Sequence, residues 1–278
     1  MTRVGGRTQV YAVLGQPVHH SRSPEIQNAA FRAAGMDAVY VALEVPASRL
    51  GQALEGLHAA RVLGLNLTAP HKEPAFALAH ERTPEAEEAR AVNTLRWEPG
   101  GWRGHATDGM GFLAWAAESG IDARGRRVLV LGAGGAAHAI VPKLLTLRPE
   151  SIQVVSRSAE HSRSLSQRAA ETRAKARITS AALEDPAAEW DLLIRAVSVE
   201  PVSAEEGRWW RAHGPRAAVL DLNYGARAAE ARAMAGTEGL HYEDGGALLI
   251  HQGAASFEFW TGKKASLDAM RGALHAAG

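Results

Sequence analysis

Residues 128–140 read VLVLGAGGAAHAI, and no other stretch limits the fold so sharply. Val128 to Leu131 is an apolar run suited to a buried strand. Gly132-Ala133-Gly134-Gly135-Ala136-Ala137 follows as G-x-G-x-x-A, and an apolar helix comes after it. Strand, glycine turn and helix in that order make the first step of a dinucleotide-binding unit. The first glycine permits the tight turn, and the second lets backbone approach a pyrophosphate. The small last residue allows close helix–strand packing, and the helix N-terminus faces the anion. A glycine-rich turn with no ligand is the bland alternative. The fold class is α/β.

The rest of the chain agrees with that class. Apolar or alternating stretches at 9–14, 39–45 and 64–67 read as strands, separated by helices at 23–34 and 47–60. This is β-α-β-α-β, the pattern of a parallel sheet. Ser23-Pro24-Glu25 reads as a helix start, with Ser23 as N-cap, Pro24 at the first helical position and Glu25 in the first turn, and Gly35 closes the helix. Residues 98–104 (EPGGWRG) predict a hairpin turn. Further strands are expected at 152–155, 192–194 and 218–222, and two helices at 248–260 and 266–276. With 278 residues, two domains are expected.

Composition removes several function classes. The 31 basic and 30 acidic residues nearly cancel, so neither a nucleic-acid surface nor a polybasic membrane patch is expected. No cysteine is present, which excludes disulfides, thiolate nucleophiles and cysteine-ligated metals. No apolar run approaches eighteen residues, and the run at 10–14 is too short for a signal segment. A cytoplasmic protein is expected. The twelve histidines form no HxH or HxxxH pair, so no catalytic metal is expected. Trp209-Trp210 reads equally as core or as a partner surface.

The strand at 152–155 carries the cofactor preference. It ends in Ser156-Arg157-Ser158, with no acid to hold a ribose 2′-hydroxyl. A guanidinium flanked by two hydroxyls suits a 2′-phosphate, which favours NADP over NAD. The alternative is that Arg157 is an ordinary exposed arginine.

Three segments of the first half are unusually polar for strand ends. Gly15–Pro24 carries Ser21 and Ser23. Residues 66–72 (NLTAPHK) carry Asn66, Thr68 and Lys72, and Ala91-Val92-Asn93-Thr94 is followed by Thr107-Asp108-Gly109. Open α/β sheets bind ligands at the carboxyl ends of strands. Each residue alone has a structural reading: helix caps for the serines and Asp108, a solvated charge for Lys72, a turn residue for Asn93.

Taken together, and in this order and spacing, these segments resemble the shikimate dehydrogenase family. The resemblance runs from about residue 10 to residue 262. It also includes Asn28, Asp221 with Tyr224, and residues 244–262 (DGGALLIHQGAASFEFWTG). It implies an NADPH-dependent reduction of 3-dehydroshikimate to shikimate, in aromatic amino-acid biosynthesis. It implies an N-terminal α/β substrate domain, 1–106, completed by C-terminal helices, 246–278. A Rossmann-type NADP-binding domain, 107–245, lies between. Lys72 and Asp108 are the implied catalytic pair. Ser21 and Ser23 are implied to bind the substrate carboxylate, with Asn66, Thr68, Asn93, Tyr224 and Gln252 around the rest of it. The implied cofactor residues are Gly132, Ala133, Gly134, Gly135, Ala136, Ser156, Arg157, Ser158 and Gly245. The partner is a small molecule, and the assembly a monomer or a homodimer.

The chemistry suits those residue types. Hydride transfer to a ketone leaves an alkoxide, which needs a proton donor or a cation beside it. Lys72 supplies either, and Asp108 orients the ammonium and accepts from a substrate hydroxyl. Two serines match shikimate-specific members. The chain departs from the family pattern at Gln27, Ala106, Ser156, Ser158, Arg195-Ala196-Val197-Ser198, Ala226 and Leu248. Arg195 reads as either a phosphate contact or a block in the crevice. A paralogue acting on quinate or an aminoshikimate, or a catalytically weak ligand-binding relative, is the alternative reading.

Overall fold

Tyr11 to Leu14 are four consecutive buried side chains, as a strand covered on both faces requires. In the computed structural model they form the middle of β1 (Gln9–Gly15), followed by α1 (Ser23–Ala33) and β2 (Ala38–Glu44). The structure describes residues 4–171, 176–197 and 202–276, the side chain of Arg216 excepted. A 3-10 turn (Ala47–Arg49) leads into α2 (Leu50–Ala59), then β3 (Gly64–Leu67), α3 (Lys72–Leu78), β4 (Glu81–Arg82) and α4 (Pro84–Ala89). The β5 (Thr94–Glu98) and β6 (Gly101–His105) strands pair antiparallel around the expected hairpin turn. Strand order is β2-β1-β3-β5-β6-β4. The β1 strand runs parallel to β2 and β3, and β5 antiparallel to β3, so this sheet is mixed.

Two local features explain how α1 is set. Gly35 has φ +64°, the left-handed conformation that ends a helix cheaply only at glycine. Asn28 donates to Tyr40 O at 2.8 Å and accepts from Tyr40 N at 2.9 Å, fastening α1 to β2. The expected N-cap is corrected: Ser23 is already the first helical residue. Arg22 occupies the cap position without a side-chain bond.

The second unit begins within α5 (Asp108–Glu118), at Phe112, and ends at Leu248. It holds β7 (Arg127–Leu131), α6 (Gly135–Thr146), β8 (Ser151–Ser156), α7 (Ala159–Ala170) and β9 (Arg177–Ala182). Then come β10 (Trp190–Arg195), α8 (Ala204–Arg211), β11 (His213–Asp221), α9 (Ala229–Thr237) and β12 (His241–Asp244). The strands are all parallel, in the order β12-β11-β10-β7-β8-β9. That is the doubly wound dinucleotide-binding order, with its switch point between β7 and β10. The chain returns to the first unit within α10 (Gly246–Thr261), at Leu249, and ends with α11 (Leu267–Ala276).

Strand alternation splits the second core into two faces. Val128 and Val130 pack with Trp115, Ile140 and Leu144, whereas Leu129 and Leu131 pack with Trp209, Trp210 and Val219. The tryptophan pair is therefore core, and truncating either to alanine costs about 3–5 kcal/mol. The β11 strand starts five residues earlier than its apolar run, because Gly214-Pro215 disguise its beginning. Among the described residues no helix is long and apolar enough to cross a membrane.

Candidate active site

The register of β3, β5 and β6 sets the site of the first unit. Asn66 of β3 lies opposite Thr94 of β5, and Thr94 opposite His105 of β6. Lys72 opens α3 and Asp108 opens α5. Lys72 O accepts from Val92 N at 2.8 Å, so the start of α3 is pinned to the segment before β5. The Lys72 ammonium donates to Asp108 Oδ2 at 2.6 Å. Asp108 Oδ1 accepts from Asn93 Nδ2 at 2.8 Å, and Asn93 Oδ1 accepts from Thr107 N at 2.8 Å. One asparagine amide thus fixes the turn that carries the acid. Ala106 is buried beside this turn, and Asn93 supplies the carboxylate's amide partner.

A second tier supports the first. Asn66 Nδ2 faces Asn93 O at 3.1 Å, Thr94 Oγ1 at 3.1 Å and Ser256 Oγ at 2.9 Å. Its Oδ1 accepts from the Tyr40 hydroxyl at 2.7 Å, and that hydroxyl also meets Ser23. Burial pushes the Tyr40 phenol well above its ordinary range, so it stays a donor. Ser23 N donates to Ser21 Oγ at 3.3 Å. Gln252 Oε1 sits 3.4 Å from both Asn93 Nδ2 and Thr107 Oγ1. Gly111 has to be glycine: a Cβ there would lie 2.8 Å from Gln252 N. Gly15 is equally constrained, since its Cβ would lie 2.4 Å from the Thr68 methyl.

One connected network therefore joins Ser21, Ser23, Asn66, Asn93, Asp108, Lys72 and Gln252. Thr68 is half-buried on the loop that leads from β3 to Lys72 and joins the fold through its backbone, donating to Leu14 O at 2.9 Å. Tyr224 belongs to the second unit, half-buried just before a 3-10 turn (Gly225–Ala228). Tyr40 and Ser256 join the network without being among the candidate residues that the sequence singles out. Ser256 follows Gln252 by four residues, the spacing that puts both on one helix face, and that signal marks it.

In the second unit the glycine turn lies at the switch point. Gly132 has φ +109°, and a Cβ there would lie 2.5 Å from Ala196 O. Gly134 is different: it is exposed, precedes α6, and among the described residues nothing lies within 4 Å of where its Cβ would be. No atom of the described residues demands glycine there, and the space before a twelve-residue helix suits a pyrophosphate. Arg157 is exposed and makes no hydrogen bond or ion pair among the described residues. Ser158 Oγ accepts from His161 N as the cap of α7, while Ser156 Oγ donates to Ser158 O at 2.8 Å or shares a proton with Ser162. No carboxylate ends β8. These residues fit a 2′-phosphorylated dinucleotide, with the Gly132–Ala136 backbone for its pyrophosphate and Arg157 for its 2′-phosphate. Gly245 has a packing reason as well, since its Cβ would lie 2.2 Å from Leu222 O.

Arg195 neither contacts a phosphate nor blocks the crevice, which corrects both readings. It is fully buried, with Nε 2.6 Å from Glu206 Oε1 and Nη1 3.4 Å from Asp221 Oδ2. Val197 is half-buried beside Gly132, and Ser198 lies outside the described residues. His138, in the first turn of α6, accepts from Arg168 Nη1 at 2.9 Å. Burial, with Arg168 and His161 nearby, lowers it to about 4.

Three family models match the chain in order. They are the shikimate dehydrogenase substrate binding domain over residues 13–95, shikimate / quinate 5-dehydrogenase over 115–222, and the shikimate 5′-dehydrogenase C-terminal domain over 248–275. The shikimate dehydrogenase (NADP(+)) of Anaeromyxobacter sp. (strain K) is 40% identical, with 98% of each chain covered. The chain belongs to the shikimate dehydrogenase family. Shikimate 5-dehydrogenase from Thermus thermophilus, solved in complex with NADP(H) and shikimate, superposes with a TM-score of 0.83 at 30% identity. That comparison covers 98% of this chain and 100% of the other. A 5-ketofructose reductase of Gluconobacter sp. strain CHM43 also superposes, with a TM-score of 0.81 at 26% identity over 99% of this chain and 100% of that one. Members of the shikimate dehydrogenase fold therefore carry more than one named activity, and the substrate has to be argued from side chains.

Proposed function

We propose that the chain reduces 3-dehydroshikimate to shikimate with NADPH, and that Lys72 and Asp108 are its catalytic pair. The observation that carries this reading is the 2.6 Å contact between the Lys72 ammonium and Asp108, with Asn93 holding the carboxylate from its other side. Bound NADPH supplies the hydride. Ser21 and Ser23 offer hydroxyls to the substrate carboxylate, and Asn66, Thr68, Asn93, Tyr224 and Gln252 orient the ring. Lys72 Nζ faces the carbonyl oxygen and gives it a proton or a countercharge as the alkoxide forms. Asp108 holds that ammonium in place and accepts from a ring hydroxyl. Residues 1–106 and 246–278 form the substrate domain in this reading, and 107–245 the NADP domain, with Arg157 selecting the 2′-phosphate. We place the enzyme in the cytoplasm, as a monomer or homodimer.

The test is absorbance at the NADPH band, with shikimate and NADP⁺ beside parallel wells holding NAD⁺ or quinate. Reduction is expected with shikimate and NADP⁺, and Lys72→Ala should lower kcat at least about a hundredfold with little change in KM. Near-full turnover by Lys72→Ala removes that residue from the reaction. Faster turnover of quinate, or silence in every well from folded protein, overturns the reading.

A further inference from the structure

The segments that leave the carboxyl ends of β10, β11 and β12 meet at one residue, Asn223. Its Nδ2 donates to Val197 O at 2.8 Å and to Asp221 Oδ1 at 2.9 Å. Its backbone N donates to the same oxygen at 3.0 Å, and its carbonyl accepts from Gly245 N at 2.8 Å. Both amide protons and both backbone groups of Asn223 are thus committed. Ligands of open α/β sheets bind just beyond these strand ends. The connection reaches the glycine turn directly. Ala196 O and Val197 Cγ1 would lie 2.5 and 3.2 Å from a Cβ on Gly132.

A buried charge cluster aims Asp221 at Asn223. Asp221 Oδ2 faces Arg195 Nη1 at 3.4 Å and accepts from the Tyr242 hydroxyl at 2.9 Å, which leaves Oδ1 for Asn223. Arg195 is held in turn by Glu206, whose Oε1 also accepts from Trp210 Nε1 at 3.1 Å. Arg195 and Asp221 have no exposed surface. Burying a guanidinium and two carboxylates is expensive, and well-packed apolar side chains usually serve stability as well or better. Fixed geometry is what such a cluster supplies that apolar packing does not. Arg195 is one of the positions at which the sequence leaves the family pattern.

We propose that Asn223, aimed by the Arg195–Asp221 pair, is a positioning residue that holds the Val197, Tyr224 and Gly245 segments against the Gly132 turn and so sets the affinity for the whole dinucleotide. The inference rests on the NADP-dependent reading above. It differs from a plain stability clamp in one consequence. At the end of β8 the described bonds of Ser156 and Ser158 run to one another, to Ser162 and to His161, so the lock acts on NADPH and NADH alike. Arg157, by contrast, acts on the 2′-phosphate alone.

The experiment titrates the full chain with NADPH and with NADH, reading cofactor fluorescence without substrate, and records Tm in parallel. Asn223→Leu removes the amide, keeps the volume and leaves the ion cluster intact. It should raise both dissociation constants about tenfold, by the same factor, so the NADPH/NADH ratio stays within about twofold. Arg157→Ala should raise the NADPH constant alone and collapse that ratio. Asn223→Ser, too short to reach Val197 and Asp221 together, carries the same expectation if the leucine variant does not fold. Dissociation constants within about twofold of the unsubstituted chain, with only Tm lowered, overturn the proposal, because affinity is a property of the folded molecules. A changed ratio in Asn223→Leu overturns it too. An unsubstituted chain that binds neither dinucleotide fails the NADP-dependent reading first and takes the inference with it.

Discussion

At Asp108, one carboxylate oxygen lies 2.6 Å from the Lys72 ammonium and the other 2.8 Å from the Asn93 amide. Asp108→Asn keeps the shape of that side chain and deletes the charge that aims the ammonium. The expected result is a kcat lowered about 10²–10⁴-fold, the usual range for a positioned acid–base group, with KM for shikimate within a few-fold. Steady-state kinetics decide this, and an equal rise in KM with kcat preserved would make Asp108 a binding residue only. His138 yields a pH prediction. Its lowered value, about 4, follows from burial first and then from the neighbouring Arg168 and His161. The unfolded chain takes up this proton near pH 6.5, its ordinary value, while the folded chain resists until about 4. Stability from this group is therefore intact above pH 6.5 and declines as pH falls from 6.5 to about 4. Urea midpoints at about pH 7 and about pH 5 should differ less in His138→Gln than in the parent, and an unchanged difference would refute the assignment. Lys72 and Asp108 read alone as a solvated charge and a helix cap, and only the order and spacing of the surrounding motifs single them out as candidates. Tyr40 is hidden, because strand alternation makes a buried tyrosine look like core, and Ser256 shows only its four-residue spacing from Gln252. Arg195 misleads because an arginine near a phosphate site suggests contact, and no sequence signal pairs it with Glu206 and Asp221.

The strands β1, β3 and β7 match the sequence to within a residue or so. The β4 strand has two residues, and β12 reads His-Tyr-Glu-Asp. Neither carries an apolar pattern, because each is an edge strand of its sheet. The switch from parallel to antiparallel at β5 is only half-visible, through the glycine-rich hairpin turn. The strand–turn–helix at β7 and α6 allows the glycines to be separated by role. Gly132 is set by φ +109° and by Ala196 O, so Gly132→Ala should lower Tm and cofactor affinity together. Gly134 has φ −88° and ψ −175°, which any residue adopts, and no described residue lies within 4 Å of its Cβ position. Gly134→Ala should leave Tm within about 2 °C, since less than about 1 kcal/mol is at stake in the fold, yet raise the NADPH dissociation constant about tenfold. Thermal melts with fluorescence titration separate the two variants. A Gly134→Ala protein that binds NADPH normally would show that the helix N-terminus is not the pyrophosphate site.

Each of the two units is built around its own six-stranded sheet, and the first draws on both ends of the chain. Periodicity marks α10 and α11 as helices but not the sheet they serve. Spacing within a helix records which face is apolar and nothing about a partner far away in the chain. Gln252 and Ser256 enter the Asn66–Asn93 network for that reason only in three dimensions. The separate sheets imply separable ligand terms. Ser23 and Arg157 lie in different units, and each offers one polar group suited to one anion of one ligand. A hydrogen bond to a charged group contributes about 1.5–3 kcal/mol, or about 10–100-fold in a binding constant. Ser23→Ala should raise KM for shikimate by that factor and leave the NADPH dissociation constant within about twofold. Arg157→Ala should do the reverse, raising the NADPH constant while KM for shikimate, taken at saturating NADP⁺, stays within about threefold. If Ser23→Ala moved both constants equally, the anion sites would not be housed in separate units. The division of labour proposed for residues 1–106 and 107–245 would then fail, even with the reaction intact.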